Sequence, residues 1–290
     1  MIKKVIIPIA GLATRFLPLS KAVPKELLPL ADMPIVHYLI KEAKESGIEE
    51  IIFVLSPNNK RVMEYLTPSL ELEKTLKLRK KNDILEEVEK LNELLGGLKL
   101  SCVIQKEPLG DGHAILQAAK FAKNEAVAVM FGDDIIDAKI SALNQLAKVF
   151  KTCEKPIIGL FALPKEEIFH YGVIKNEKIA NRLHKVKSII EKPSLEEAPS
   201  NLAVTGRYIL TPEVFDYLKK AKPTKKGEII LAEVINNYMI REGKLIYGYE
   251  IEGNWLECGD KSRWLKSNLY FSLNHPKYGP ELKKYLKEIV

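Results

Sequence analysis

Cysteine is scarce in this sequence of 290 residues, and the three cysteines lie far apart. Cys102, Cys153 and Cys258 form no CxxC pair, so their spacing predicts neither a zinc site nor a disulfide framework. A reducing compartment suits such a chain, and we expect it to be cytoplasmic.

Long apolar runs are also missing. No stretch approaches the roughly 20 apolar residues that cross a bilayer, so we expect no membrane partner. The opening MIKKVIIPIAGLA resembles a short signal peptide, with two lysines before an apolar run. Because Arg15 follows that run closely, a buried first strand explains the segment better.

Neither sign of charge is scarce, since 45 basic residues stand against 38 acidic ones and give a net charge of +7. Such a charge would suit nucleotides, nucleic acid or an acidic membrane surface. Many lysines alternate with glutamate, however, as between residues 71 and 93, which is typical of a solvated helical face. The sequence has no basic stripe with interleaved aromatic residues, so we expect no nucleic-acid partner.

Short runs rich in valine and isoleucine alternate with stretches of helical spacing in the first half of the chain. The predicted strands are 4–9, 50–55, 98–104 and 127–131, and the predicted helices are 34–47 and 113–122. We therefore predict an α/β fold with a Rossmann-like, doubly wound, mostly parallel mixed sheet flanked by helices. In such a sheet, ligands bind beyond the carboxyl ends of the strands.

A charged segment near 68–97 interrupts this alternation, and we interpret it as an amphipathic helical insertion because apolar residues from Ile84 to Leu95 follow helical spacing. Later strands are predicted at 157–162, 186–190 and 203–210, and helices at 213–220, at 229–241 and near 260–290. No linker or internal repeat is present, which favours a single domain spanning 1–290.

The first predicted strand runs directly into AGLATRFLP (10–18), and PKELLP (24–29) follows. Small residues with Arg15 and Lys25 after a strand suit a phosphate site, because backbone N–H groups and cations can approach the oxygens. On the residues alone, a phosphate site and a plain turn with two solvated cations are equally well supported. The pattern matches neither a P-loop nor GxGxxG, which disfavours a P-loop ATPase and a Rossmann dinucleotide site.

These two segments resemble the signature of sugar-nucleotide pyrophosphorylases, and specifically of bacterial UTP-glucose-1-phosphate uridylyltransferases. Further blocks match that family in order: Gln105 with GDGHA (110–114), FGDD (131–134), YGVI (171–174), IEKP (190–193) and APSNLAVTGRY (198–208). The last block is the most diagnostic of the uridylyl branch, whereas the first is shared in looser form with thymidylyl and adenylyl relatives.

The resemblance implies a set of residues at the nucleotide. They are Ala10, Gly11, Glu26, Gln105, Gly110 and Asp133. Gln105 and Gly110 resemble the residues that read the uracil edge, where an amide can both donate and accept hydrogen bonds. His113 is expected to order the base-binding loop or helix start rather than to act as a catalyst.

Cations are implied where negative charge develops. As catalytic residues, Arg15 would hold the leaving pyrophosphate, Lys25 would neutralise the phosphate under attack, and Lys192 would grip the sugar phosphate. Asp133, at the end of an apolar strand, is the first candidate ligand for Mg²⁺, and Glu257 is the second. Asp134 is expected to be a helix or turn cap.

The sugar is implied to lie against a further group of residues. These are Gly172, Glu191, Lys192, Val204 and Gly206. Glu191 would accept hydrogen bonds from sugar hydroxyls, and the two glycines would supply close backbone walls around the hexose.

The resemblance thus implies an enzyme that transfers a uridylyl group from UTP to glucose 1-phosphate and releases pyrophosphate. Because the attacking phosphate is already anionic, in-line displacement needs no protein nucleophile or general base. The family also implies a homodimer or homotetramer. A thymidylyltransferase of the same fold and a weakly active regulatory paralogue stay open as alternatives.

Four positions depart from the family pattern. Ala13 replaces a glycine, which we expect to be tolerated only if the backbone φ angle is negative there. Glu257 stands where relatives carry an aspartate, and Ile230 and Glu233 stand where Gln and Asp are common. These departures are the basis of the regulatory alternative.

Overall fold

The valine- and isoleucine-rich runs become strands, because β-branched side chains suit an extended backbone that is packed on both faces. The computed structural model describes residues 1–57 and 59–289; Asn58 and Val290, which fall within the predicted domain 1–290, lie outside the described residues. The strands are β1 (Lys4–Ile9), β2 (Pro29–Leu30), β3 (Met33–Pro34), β4 (Glu50–Leu55), β5 (Lys99–Ile104), β6 (Val127–Met130), β7 (Asp134–Asp137), β8 (Ile157–Ala162), β9 (Gly172–Ala180), β10 (Leu183–Glu191), β11 (Leu202–Leu210), β12 (Tyr247–Glu250) and β13 (Asn254–Glu257).

Helices fill the segments between these strands. They are α1 (Ile35–Glu45), α2 (Arg61–Tyr65), α3 (Leu70–Leu78), α4 (Asn82–Leu95), α5 (Asp111–Gln117), α6 (Ala119–Ala122), α7 (Ala142–Cys153), α8 (Pro212–Lys220), α9 (Leu231–Val234), α10 (Lys261–Asn274) and α11 (Gly279–Ile289). A π-helical turn, Ile235–Ile240, continues α9 directly. No helix in the described part of the chain combines the length and apolar character needed to span a bilayer.

Nine strands form one mixed sheet in the order β5-β4-β1-β6-β11-β8-β12-β10-β9. The four strands from β5 to β6 are all parallel, and Ile6 of β1 pairs with Ile52 of β4 and Val129 of β6. A mixed, Rossmann-like sheet flanked by helices is therefore confirmed. Two small ribbons, β2–β3 and β7–β13, lie outside this sheet.

The expectation of a mostly parallel sheet needs a correction in its second half. There β11 pairs antiparallel with β6, β8 and β9, and β10 pairs antiparallel with β9 and β12, so only β8–β12 is parallel. For the β9–β10 pair the reason is local, because only residues 181 and 182 separate the two strands. A connection this short can only form a hairpin, since a parallel crossover needs a dozen or more residues.

The core lies in two layers, one on each face of the sheet. Ile7, Phe53 and Met130 point to the face covered by α1 and α7, whereas Ile6 and Val129 point to the face covered by α5, α8 and α9. This alternation follows from the two-residue period of a strand. Because both faces are covered, only the ends of the strands remain open to ligands.

The predicted helical insertion near 68–97 consists of two helices, α3 and α4. Lys44 of α1 anchors the end of α4, because its ammonium group donates to the carbonyl oxygens of Leu94 (2.9 Å) and Gly96 (3.1 Å). A cation at this position also complements the negative end of the helix dipole.

Candidate active site

The carboxyl ends of β1, β4, β5 and β6 open into one cleft. It consists of two adjoining cavities of about 540 and 440 Å³. Both cavities are lined by Ala10, Gly11, Lys25 and Gln105, and the smaller one also reaches Gly110 and Asp133. Thus the structure brings together five of the six nucleotide-binding residues predicted from the sequence, and the sixth, Glu26, lines the larger cavity.

Lys25 and Asp133 form the main charge pair of the cleft. Lys25 Nζ lies 2.7 Å from Oδ2 of Asp133, and both side chains are largely buried. Burial alone would lower the pKa of Lys25, but the carboxylates of Asp133 and Glu26 outweigh it and raise that pKa. Burial acts to raise the pKa of Asp133, but Lys25 more than compensates and holds it below its usual range. Both groups are therefore charged at neutral pH.

The signature loop after β1 leaves open space above its backbone. A Cβ atom added at Gly11 would meet no protein atom within 4 Å, so a ligand can approach this residue closely. Ala13, two residues on, has φ 47° and ψ 41°, which is the left-handed region. The condition of a negative φ, set for an alanine at this position, is therefore not met, and Ala13 bears the steric cost of the left-handed region at the start of the turn Thr14–Phe16.

Glu26 lies beneath this loop and is 2% exposed. Burial raises the pKa of its carboxyl group, against the opposing effect of Lys25. The side-chain amide of Asn59 donates to the carbonyl oxygen of Ile9 (3.0 Å) and to Oε2 of Glu26 (3.4 Å). Asn59 was not predicted from the sequence, where it is one polar residue among several in the turn after β4.

Gln105 is held in one orientation. Its Nε2 donates to the carbonyl oxygen of Gly110 (3.0 Å) and to Nδ1 of His113 (2.9 Å). Because a carbonyl oxygen can only accept, the amide nitrogen must face Gly110, and Oε1 is left as an acceptor for a ligand. Gly110 has φ 95°, and a Cβ there would lie 2.4 Å from the carbonyl oxygen of Ile229, so this position requires glycine.

Three charged groups surround the small volume above Gly259. A Cβ on that glycine would lie 2.6 Å from Oε1 of Glu257, 3.4 Å from Oδ2 of Asp133 and 3.5 Å from Nη1 of Arg15. Arg15 Nη1 also donates to the carbonyl oxygen of Gly259 at 3.4 Å. Two carboxylates and a cation thus face one gap that only a glycine leaves open.

Glu257 is also bound from its other side. Arg263 Nη1 lies 3.0 Å from its Oε2 and 3.2 Å from its Oε1, and the hydroxyl of Tyr171 donates to Oε2. The Arg263 guanidinium stacks over the ring of Tyr171 at 5.2 Å from the ring centre. Neither Tyr171 nor Arg263 was predicted to act here, since the sequence places them 92 residues apart.

Three of the predicted sugar-binding residues, Gly172, Glu191 and Lys192, lie at the start of β9 and the end of β10. A Cβ at Gly172 would come within 3.1 Å of Oε2 of Glu191, so the glycine makes room for that carboxylate. Burial raises the pKa of Glu191. Lys192 has φ 49° and its backbone N–H donates to the carbonyl oxygen of Tyr171 (3.0 Å), while its exposed ammonium group lies 3.8 Å from Oε1 of Glu191.

Val204 and Gly206 lie on β11, in the interior of the sheet. Gly206 packs against protein and not open space, because a Cβ there would lie 2.3 Å from Oδ2 of Asp134 and 2.4 Å from Cβ of Phe131. Its N–H donates to Oδ2 of Asp134 (3.1 Å). In this structure Gly206 therefore contacts the loop that carries Asp133.

Asp134 is not a helix or turn cap, which corrects the expectation from the sequence. It is the first residue of β7, is 7% exposed, and accepts hydrogen bonds from Gly206 N and from Trp255 Nε1 (2.6 Å). Burial, together with the charge of Asp133, raises its pKa to about 7. Its role is to join β7 to β11 and β13.

The family described as Nucleotidyl transferase matches residues 4–271. A UTP-glucose-1-phosphate uridylyltransferase of Staphylococcus haemolyticus is 40% identical over 288 residues, which is 99% of this chain and 98% of that protein. Among solved structures, a UTP-bound UGPase from Acinetobacter baumannii superposes with a TM-score of 0.91 at 33% identity over the whole of both chains. A UDP-glucose pyrophosphorylase in complex with UDP-glucose gives a TM-score of 0.83 at 34% identity, over 93% of this chain and 98% of that one.

Proposed function

The chain belongs to the nucleotidyl transferase family, and we propose that it transfers the uridylyl group of UTP to glucose 1-phosphate, giving UDP-glucose and pyrophosphate. The geometric observation that carries this proposal is the position of the fixed Gln105 amide and of the Lys25–Asp133 pair. They stand over the ends of β5 and β6, at opposite sides of one cleft. Gly11, after the intervening β1, leaves the space between them open.

Gln105 selects the base by its hydrogen-bonding pattern. Both amide hydrogens are engaged within the protein, so only Oε1 remains to face the ligand. An acceptor at this position pairs with the N3–H of uracil and finds no partner at N3 of cytosine. A base of the wrong pattern would leave the amide oxygen unpaired, which costs binding energy.

The charges of the cleft then align two polyanions. A phosphate oxygen of glucose 1-phosphate attacks the α-phosphorus of UTP in line, and the bond to the β-phosphate oxygen breaks. Lys25, whose raised pKa keeps it protonated, faces the α-phosphate, and Arg15 holds the leaving pyrophosphate. Lys192 grips the sugar phosphate, and Glu191 beside Gly172 accepts hydrogen bonds from the sugar hydroxyls.

We propose that a divalent cation binds in the gap above Gly259. Asp133 and Glu257 offer hard carboxylate oxygens there, and Mg²⁺ commonly takes one or two carboxylates while substrate phosphates and water complete its ligands. Such an ion, when bound, would neutralise phosphate charge and raise the electrophilicity of the α-phosphorus. The described residues contain no group of three or more His, Cys, Asp or Glu placed to hold a metal.

Gly259→Ala tests this assignment. The added methyl group overlaps Oε1 of Glu257, which Arg263 holds in place, and it reaches toward Asp133 and Arg15. We expect the half-saturating Mg²⁺ concentration to rise at least tenfold, with little change in KM for glucose 1-phosphate. An unchanged Mg²⁺ requirement would remove Glu257 from the list of ligands.

The function itself is tested by pyrophosphate release. Purified protein is supplied with Mg²⁺, glucose 1-phosphate and each nucleoside triphosphate in turn, alongside Asp133→Asn. Asp137→Asn, an exposed carboxylate at the end of β7, is the matched control. We expect pyrophosphate release with UTP, which Asp133→Asn abolishes and Asp137→Asn retains. A preference for dTTP would indicate a thymidylyltransferase. A folded protein that releases no pyrophosphate would indicate the regulatory paralogue.

We further propose a cytoplasmic homodimer or homotetramer. The three cysteines are all unpaired thiols, which suits a reducing compartment. Large apolar side chains are exposed on the last two helices, including Leu265, Leu269 and Tyr285, and such a surface suits contact with another copy. Sedimentation velocity decides this point, and a monomer at micromolar concentration would contradict it.

A further inference from the structure

One fully buried arginine lies beneath the loop that carries Asp133. Arg207 of β11 is 0% exposed and is the largest of the fully buried side chains. Its guanidinium pairs with Glu42 of α1, which is 7% exposed, through contacts of 2.8 Å (Nη2–Oε2) and 3.1 Å (Nε–Oε1). Burying such a pair costs the hydration of both charges, so its net contribution to folding stability is often small. Its presence therefore calls for another explanation.

Arg207 also binds the backbone on both sides of Asp133. Its Nη2 donates to the carbonyl oxygen of Asp134 at 2.6 Å, and its Nη1 lies 3.5 Å from the carbonyl oxygen of Phe131. These carbonyls enclose Gly132 and Asp133. One planar guanidinium thus holds the start and the end of this tight loop, a task for which its fixed set of donors is suited and a lysine is not.

Neighbouring contacts attach the same loop to β11 and β13. Phe131 N donates to the carbonyl oxygen of Gly206 (2.8 Å), Gly206 N donates to Oδ2 of Asp134 (3.1 Å), and Cys258 N donates to the carbonyl oxygen of Asp133 (2.6 Å). These contacts fix the loop against strands. The Arg207 contacts connect it to the helical layer.

Glu42 connects the arginine to that layer. Its carboxylate belongs to α1, and its Oε1 also accepts from the backbone N–H of Leu143 (3.2 Å) in the first turn of α7. An anion at the amino end of a helix is favourable, so α7 holds Glu42 in place. The chain of contacts therefore runs from two core helices through Glu42 and Arg207 to the backbone around Asp133.

We infer that Arg207 and Glu42 are positioning residues for the metal-binding carboxylate: the buried pair sets the conformation of residues 131–134 so that Asp133 faces both Lys25 and the gap above Gly259. This inference deepens the proposed function and rests on it for the identity of the ion. Removing a residue behind a metal ligand commonly weakens metal affinity by about 10- to 100-fold.

The main test replaces the whole pair with apolar residues, in Arg207→Met/Glu42→Leu. Removing one partner alone leaves an unpaired buried charge and threatens folding, whereas replacing both with apolar residues of similar volume is often neutral or stabilising. If the pair positions Asp133, the double variant melts near the wild-type temperature and yet has a half-saturating Mg²⁺ concentration about 10- to 100-fold higher. KM for glucose 1-phosphate stays within about threefold of the wild type.

Hydrogen exchange provides a readout that needs no activity. In the double variant, a peptide covering residues 128–137 is expected to exchange at least tenfold faster, while peptides from β4 and β5 keep their wild-type rates. Binding of Mn²⁺ in the presence of UTP, followed by electron paramagnetic resonance, is expected to weaken by the same factor as the Mg²⁺ requirement.

Phe215→Ala is the control for lost stability. This side chain is buried in the layer on the opposite face of the sheet, and its removal is expected to lower the free energy of unfolding. When the two variants are compared at equal stability, residues 128–137 of Phe215→Ala should exchange at the wild-type rate. An equal rise in the Mg²⁺ requirement in Phe215→Ala would overturn the inference. So would a stable double variant with wild-type Mn²⁺ binding and wild-type exchange.

Arg207→Lys decides the matter if the double variant does not fold. Lysine keeps the positive charge but offers one nitrogen in place of the three that contact Glu42, Phe131 and Asp134, so a folded Arg207→Lys should show the same raised Mg²⁺ requirement. Wild-type metal dependence in that variant would overturn the inference. If the wild type itself releases no pyrophosphate with any nucleotide, the proposed function fails, and the exchange rates still decide the role of Arg207.

Discussion

The ammonium group of Lys25 lies 2.7 Å from the carboxylate of Asp133, although the two residues are 108 positions apart in the chain. Without substrate, each charge neutralises the other in a partly buried site. In the proposed function, nucleotide and Mg²⁺ would give both groups a new partner of opposite charge, the phosphate for Lys25 and the cation for Asp133. The pair therefore holds both charges in the positions that the proposed reaction requires.

Lys25→Met is expected to lower kcat by about 100- to 1000-fold, the usual effect of removing one preorganised charge from a transition state. The folded state should persist, because methionine fills a similar volume. Steady-state kinetics with UTP measures the loss, and Lys139→Met, an exposed lysine outside the cleft, is the control. A loss below tenfold would contradict the role given to Lys25.

Ala13→Gly is expected to raise the free energy of unfolding by about 1 kcal/mol. An alanine held at φ 47° bears the steric cost of the left-handed region, about 1–2 kcal/mol, and glycine does not, although it gains more entropy on unfolding. Urea denaturation measures the change. Ala147→Gly, inside helix α7, is the control and should lower the free energy of unfolding by about the same amount. A loss of stability in Ala13→Gly would show that Ala13 is not strained.

His113→Leu is expected to reduce the preference for UTP over CTP by about three- to tenfold, the value of one ordinary hydrogen bond. Without Nδ1 of His113, the Gln105 amide loses one of its two fixed partners and can turn its nitrogen to the base. Competition between the two nucleotides in the pyrophosphate assay gives the ratio. His37→Leu on α1 serves as the control, and an unchanged ratio would show that Gly110 alone fixes the amide.

Asp111 makes stability depend on pH. Burial raises its pKa from the model-compound value of 3.8 to about 6, so between these values the folded state holds a proton that the unfolded state has lost. Relative to Asp111→Asn, the wild-type free energy of unfolding should be highest below pH 4. It should fall as the pH rises toward about 6, by at most about 1.4 kcal/mol per pH unit.

Urea titrations of both proteins at several pH values give this difference directly. A difference that stays flat between pH 4 and 6 would mean that Asp111 keeps an ordinary pKa. A difference that grows with pH would mean that the hydrogen bonds that Asp111 accepts from Leu231 N and Gly112 N lower its pKa more than burial raises it.

The parallel half of the fold could be predicted from the sequence because its strands are short apolar runs that alternate with segments of helical spacing. The predicted strands 4–9 and 50–55 match β1 and β4 to the residue. β9 was missed, since most of its side chains after Ile174 are exposed and carry no apolar pattern. The β7–β13 ribbon was missed because its pairing joins residues more than a hundred positions apart.

The family and its activity could be recognised from ordered sequence blocks, but the contacts between blocks could not. Nothing local marks Asn59 as a partner of Glu26, or Tyr171 as a partner of Glu257. Arg207 did carry a signal, as the one charged residue in the apolar strand LAVTGRYIL. The roles given to individual residues, the single-domain boundary and the oligomeric state remain predictions.

The sheet changes its pairing at β11, and the two substrates are assigned to different sides of that change. In the proposed function, loops after the parallel strands face the nucleoside, whereas the hairpin strands β9 and β10 carry Gly172 and Glu191 toward the hexose. Because Gly11 and Gln105 lie on loops after β1 and β5, substitutions confined to the hairpin replace no residue of the base site. A lineage with this architecture could exchange its acceptor sugar by remodelling a hairpin while leaving its choice of base untouched, and the reverse exchange would be equally accessible.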